Sequence, residues 1–285
     1  SAAAVASTVG DSVTMVSEAV VSETAASAGA LLVQPTADSK QNTHNRQAMI
    51  LFFIRHADPV YSPDSLTPLG SRQAESLAKR LSLYGLDEIY ASSSNRAIMT
   101  AGPTCELLKK EAVILDWCNE GHAWKELTVT DENGNRMWGF QNAQTVKDFV
   151  SDEVVKLGAE WYDHPRFKNT SFKEGIKRIK GETDKFMASL GYLHMQNSYR
   201  TEMPDDNRRV ALFAHQGFGL AFLSSLLDIP YPLFCTHFDI SHSGMTVIEF
   251  KSNNGFVVPQ ILQLSNDSHL YKDGLPTKYQ NRIYF

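Results

Sequence analysis

The chain has 285 residues, 42% of them hydrophobic and 21% charged, with a net charge of −5. That composition belongs to a globular protein with one large α/β domain or two small ones. The negative balance argues against broad nucleic-acid binding, and no apolar run is long enough to span a bilayer. Cys105, Cys118 and Cys235 form no CxxC pair. They read as reduced thiols, so a cytoplasmic setting is expected.

Residues 1–48 differ from the rest. They are rich in Ala, Ser, Thr and Val, carry no Lys or Arg before Lys40, and end in polar, linker-like sequence. The missing basic residues argue against a secretory or transit signal. The expectation is a disordered or loosely helical appendage at 1–48 and a single catalytic domain at 49–285, with a natural start at Met49.

"MILFFI" is continuously apolar, as in a strand covered on both faces. Thr67 and Pro68 form a helix start, and Ala74, Leu77, Ala78 and Leu81 follow at helical spacing. "LDEIYAS" reads as a second strand. Ser94 caps a helix beginning at Asn95, which Pro103 should end or kink. "AVILD" is a short strand. From Glu120 to about Lys173 the expectation is a helical insertion that shapes a pocket. It holds the turn "DENGN" and the aromatics Trp124, Trp138, Phe140, Trp161, Tyr162, Phe167 and Phe172. For any one aromatic, a place in a small satellite core is the plainer expectation. A long amphipathic helix is expected from about Lys173 to Met195. "RRVALFA" is a buried strand, followed by the apolar helix "GFGLAFLSSLL", and "MTVIEF" and "VVPQILQL" complete the sheet. Alternating β and α elements predict an α/β three-layer sandwich, a mostly parallel central sheet with helices on both faces.

Reactive residues fall at or just after strand ends, where open α/β sheets form their ligand crevice. They are Arg55 and His56 in "FFIRHA", Arg96 in "YASSSNRAIMTA", Glu120 in "ILDWCNEG" and His215 in "LFAHQGFG". Two guanidinium forks with a second imidazole suit an anion with several oxygens. A neutral imidazole can attack phosphorus, and a carboxylic acid opposite can protonate the leaving oxygen. Asp116 and Glu126 flank Glu120 and compete for the acid role. His122, His237 and His242 show no tight ligand spacing, so no metal is expected.

These stretches also carry a resemblance. "RHA" after an apolar strand is similar to the Arg-His-Gly signature of the histidine phosphatase superfamily, in its phosphoglycerate mutase-like branch. "LTPLGSRQA" resembles that family's next helix start, and "SSSNRAIMTA" its Ser-x-x-x-Arg-Ala-x-x-Thr-Ala pattern. "CNEGHAW" is similar to its Glu-containing loop, and "ALFAHQGFG" to its second-histidine strand. The resemblance covers about residues 49–265 and implies a phosphoglycerate mutase-like fold. It also implies His56 as phospho-acceptor, Arg55, Arg96 and His215 as phosphate ligands, and Glu120 as proton donor.

Ala57 stands where glycine is usual, Gln216 follows His215, and Ser62 occupies a position where the mutases have a phosphate-binding Asn. These departures favour a phosphatase that transfers the phosphoryl group to water over phosphoglycerate mutase. The reading from another class is a non-catalytic phosphate-binding or protein-interaction module; a protein phosphatase would need an open groove. Ser62 and His122 are candidates for the substrate pocket. The expected partner is a small phosphorylated substrate, without cofactor, nucleic acid or membrane, and a homodimer is left open.

Overall fold

The computed structural model describes residues 48–277. The expected appendage at 1–48 lies, but for Ala48, outside them. In chain order come β1 (Ala48–Arg55), the hairpin β2 (Pro59–Tyr61) and β3 (Asp64–Leu66), α1 (Pro68–Tyr84), β4 (Glu88–Ser92), α2 (Asn95–Leu108) and β5 (Val113–Leu115). The stretch after β5 holds α3 (Glu120–Glu126), the hairpin β6 (Thr128–Thr130) and β7 (Arg136–Trp138), α4 (Ala143–Phe149) and α5 (Asp152–Val155). Then follow α6 (Phe172–Ser189), the hairpin β8 (Tyr192–Met195) and β9 (Ser198–Thr201), β10 (Arg209–Ala214), α7 (Gln216–Leu226) and α8 (Tyr231–His237). The last elements are β11 (Met245–Asn253), β12 (Phe256–Val257), β13 (Gln260–Asn266) and α9 (Ser268–Lys272).

The main sheet runs β5-β4-β10-β1-β11-β12-β9-β8, and β13 pairs with β11. β5, β4, β10 and β1 form its parallel part. β11 and the strands beyond it extend the sheet antiparallel. The continuous apolar run of β1 is explained by cover on both faces. Phe52 and Ile54 pack with Leu77 and Leu81 of α1 and Ala101 of α2. Leu51 and Phe53 point the other way, into a larger core with Ile179 and Phe186 of α6 and Phe218 and Phe222 of α7.

Several elements depart from the sequence expectation: the insertion expected to be helical also holds the β6–β7 hairpin, and "VVPQILQL" is divided between β12 and β13. The long helix ends at Ser189 rather than near Met195, and Tyr192–Met195 is a strand. Gly191, with φ +90°, takes a left-handed turn that a helix cannot continue through. Asn197, also left-handed, then turns β8 into β9. Pro103 does not end its helix, which continues to Leu108.

The insertion splits into two aromatic groups. Phe149, Trp161, Phe167 and Phe172 pack with Tyr231, and this group is continuous with the larger core that holds Leu51 and Phe53 rather than the small satellite core expected. Trp124, Trp138 and Phe140 form a separate stack beside α7. "DENGN" is the β6–β7 turn, in which Asp131 Oδ1 accepts from the amides of Asn133 and Asn135.

Candidate active site

Register places the two histidines. β1 and β10 run parallel with Arg55 opposite Ala214. The next residue on each strand, His56 and His215, therefore leaves the sheet at the same edge, and their ring centroids are 5.2 Å apart. The neighbouring strand β4 ends at Ser92 in the same row, so the loop into α2 brings Ser93, Ser94 and Arg96 to this edge.

The motif residues around them form the frame. Thr100 Oγ1 accepts from the Ala57 amide at 3.0 Å and donates to the Arg96 carbonyl at 2.7 Å. One threonine thus joins the loop after His56 to the helix carrying Arg96. Thr67 caps α1 by accepting from the Gly70 amide and donates to Asp58 Oδ2 at 2.7 Å. Gln73 Oε1 accepts from the Asp58 amide. A Cβ on Gly70 would come 2.2 Å from the Asp58 carbonyl oxygen, so glycine permits this close approach.

His56 is 3% exposed. Its Nδ1 lies 2.8 Å from the Ala57 carbonyl oxygen. A carbonyl can only accept, so Nδ1 carries the proton and Nε2 holds a free lone pair. Burial, then the neighbouring His215 and Arg55, push its pKa well below the usual value, so the ring is neutral. Arg55 donates to the Ile240 carbonyl at 2.6 Å, and its other terminal nitrogen lies 2.8 Å from His242 Nε2. Arg96 is held by Asp64 Oδ1 at 2.8 Å and stacks over the Tyr61 ring. Its other terminal nitrogen reaches His215 Nδ1 at 3.2 Å. His215 is fully buried, with Nε2 2.7 Å from Ser92 Oγ and 3.3 Å from Ser94 Oγ. Burial and the two arginines drive its pKa well down.

Glu120 opens α3 with its side chain 16% exposed. Its carboxylate accepts from the Gly217 amide at 2.9 Å and the Phe218 amide at 3.3 Å. Two N-terminal amides of α7 are thus turned to Glu120. Burial raises its pKa to about 7, against those two amides and the charges of Arg96 and Arg55. The competing carboxylates lie elsewhere. Glu126 is bound to Arg178 at 2.6 Å, and Asp116 is bound to Ser93 and His122.

Arg55, His56, Arg96 and Glu120 line one cavity of about 600 Å³. Tyr61, Asp64, Ser93, Ser94, Trp124 and Trp138 also line it. Ser62 and His122 are not among its lining residues: Ser62 is exposed in the β2–β3 turn, and His122 faces Asp116. Sequence reasoning gave no site role to Asp64 or Ser92, which hold Arg96 and His215. Ser92 lay inside the quoted motif, whereas nothing in the sequence marks Asp64 as a partner of Arg96. His242 lacked any ligand spacing, yet its ring lies 5.5 Å from that of His56. Among the described residues no group of three or more His, Cys, Asp or Glu is placed to hold a metal ion, and no helix is long and apolar enough to cross a membrane.

One edge of an α/β sheet thus brings an arginine and a histidine beside a second histidine, a second arginine and a carboxyl group. The family model of the histidine phosphatase superfamily (branch 1) matches residues 51–261, and the chain belongs to that superfamily. A curated relative from Hydrogenobacter thermophilus, named "Putative phosphoserine phosphatase 2", is 25% identical over 156 residues, 52% of this chain and 69% of that protein. A phosphoserine phosphatase mutant from Entamoeba histolytica, solved with phosphoserine, shares the fold at TM-score 0.51 and 17% identity. The match covers 78% of this chain and 99% of that one. A mycobacterial glucosyl-3-phosphoglycerate phosphatase, solved with inorganic phosphate, matches at TM-score 0.50 and 19% identity over 77% and 98% of the two chains.

Proposed function

We propose that this protein is a phosphatase that hydrolyses phosphomonoesters through a phosphohistidine on His56. The observation that carries the reading is the pairing of a neutral, buried His56, its Nε2 free, with two arginines and a carboxyl group of raised pKa around one cavity, with His215 buried behind them against Arg96. The names of the relatives point the same way.

The phosphoryl group of a small substrate lies between Arg55 and Arg96, whose fixed charges match its equatorial oxygens. His215 Nδ1 lies between Arg96 and Glu120, and a bound dianion favours its protonated, donating form. His56 Nε2 forms the N–P bond as the ester P–O bond breaks. Glu120 gives its proton to the departing oxygen. Water then attacks phosphorus, the N–P bond breaks, and the water proton returns to the Glu120 carboxylate. Rapid acid-free quenching during turnover of a ³²P-labelled ester should trap an acid-labile, base-stable phosphate on His56. His56→Ala should carry none, and label persisting in that variant would remove His56 as nucleophile.

A further inference from the structure

The cavity continues well beyond the phosphoryl position. At about 600 Å³ it falls in the range of about 300–1,000 Å³ typical of pockets for drug-sized molecules. Three aromatic residues line it, Tyr61 beneath Arg96 and the indoles Trp124 and Trp138. Trp124 meets Trp138 edge to face at 5.0 Å, and Phe140 stacks on Trp138 at 5.7 Å. Trp138 is wedged against Gly217, where a Cβ would come within 2.5 Å of the indole. The aromatic wall is thus braced by α7, the helix that also supplies the amides bound to Glu120.

The charge pattern of the cavity is lopsided. Among the described residues lining it, the arginine and lysine cations are Arg55 and Arg96, both at the phosphoryl end. The Asp64 carboxylate also lines it, paired with Arg96 and accepting from the Asn95 amide. A phosphate dianion uses the two guanidinium charges. A leaving group with a carboxylate would bring a further negative charge into a cavity that has Asp64 and, among the described lining residues, no further arginine or lysine to meet it, and desolvating an unpaired charge is costly. The ammonium of phosphoserine has Asp64 to face, but its carboxylate still lacks a partner. An uncharged ring avoids that cost and gains face and edge contacts with the indoles.

We infer that the substrate of this site is a phosphomonoester whose leaving group is an uncharged ring, aromatic or sugar, and not a phosphorylated hydroxy or amino acid. The inference rests on the phosphatase reading above.

The test compares benzyl phosphate, glucose 6-phosphate, O-phosphoserine and 3-phosphoglycerate. All four release a primary alcohol, which limits differences in leaving-group basicity. At least one ring ester should exceed both carboxylate esters in kcat/KM by about tenfold or more, and the better of the two rings identifies the source. Trp124→Ala should cut the preferred ring ester about tenfold, chiefly through KM, and change phosphoserine by less than about threefold. Trp124→Phe, which keeps a ring, should recover most of that loss. A carboxylate ester turned over fastest would overturn the inference and leave the phosphatase reading standing, as would equal losses on all four esters in Trp124→Ala. No hydrolysis of any of the four, with no label on His56, would overturn both.

Discussion

Glu120→Gln removes the one proton that the proposed chemistry must deliver to the leaving oxygen. Burial lifts this carboxyl from its ordinary 4.5 to about 7. At about 1.4 kcal/mol per pKa unit, that is a bias of about 3 kcal/mol against the ionised form. At pH 7 about half of the molecules hold the proton, where an unshifted carboxyl would hold it in about one in three hundred. An alkyl phosphate releases a basic alkoxide and depends on this proton, so Glu120→Gln should lose about 10²- to 10⁴-fold in kcat/KM. p-Nitrophenyl phosphate releases a weakly basic phenolate and should lose far less. The sign with pH follows: alkyl-ester turnover in the wild type falls as pH rises through about 7, because the acid form disappears, and this limb should be missing from the Gln variant. Steady-state rates on both esters from pH 5 to 9 read all of this. Asp116→Asn and Glu126→Gln should leave the alkyl-to-nitrophenyl ratio unchanged, since those carboxylates are occupied by Ser93 and His122 and by Arg178. Equal losses on the two esters, or a limb near pH 7 that survives in Glu120→Gln, would refute the assignment.

Arg96→Ala should lower both esters alike, by about 10²-fold or more, because they share the phosphoryl group it faces; a loss confined to the alkyl ester would shift Arg96 to leaving-group chemistry. EDTA should leave the rate nearly unchanged, since two arginines supply the positive charge a metal would otherwise bring; a large loss restored by a divalent ion would contradict this. Trp161→Ala empties the centre of the aromatic group in the larger core, where Trp161 is 1% exposed and touches Phe149, Phe167, Phe172 and Tyr231. It should cost about 3–5 kcal/mol, read as a lower urea midpoint at unchanged slope.

The local chemistry of this protein was written in short stretches of sequence. A run such as "MILFFI" has no polar face, so it must be a strand buried on both sides, and a buried strand end is a fixed platform for Arg55 and His56. Thr67-Pro68 and Ser94-Asn95 carry their own helix-start signals, and the structure starts α1 and α2 there. The family motifs singled out Arg55, His56, Arg96, Glu120 and His215, and the fold brings all five together because each follows or ends a strand of one sheet edge or opens a helix beside it. Other features are not local properties. Tyr192–Met195 had enough apolar character to prolong a helix, and only the left-handed turn at Gly191 and the pairing with β9 made it a strand. Which flanking carboxylate reaches the cavity depended on Arg178, 52 residues from Glu126, and on amides of α7, 97 and 98 residues from Glu120. Asp64 holding Arg96, His242 behind Arg55 and the Trp124–Trp138 wall are likewise contacts between distant segments. Spacing along a chain fixes periodicity and caps within a few residues. The partners of a side chain, its desolvation and hence its pKa are set by whatever the folded chain packs against it.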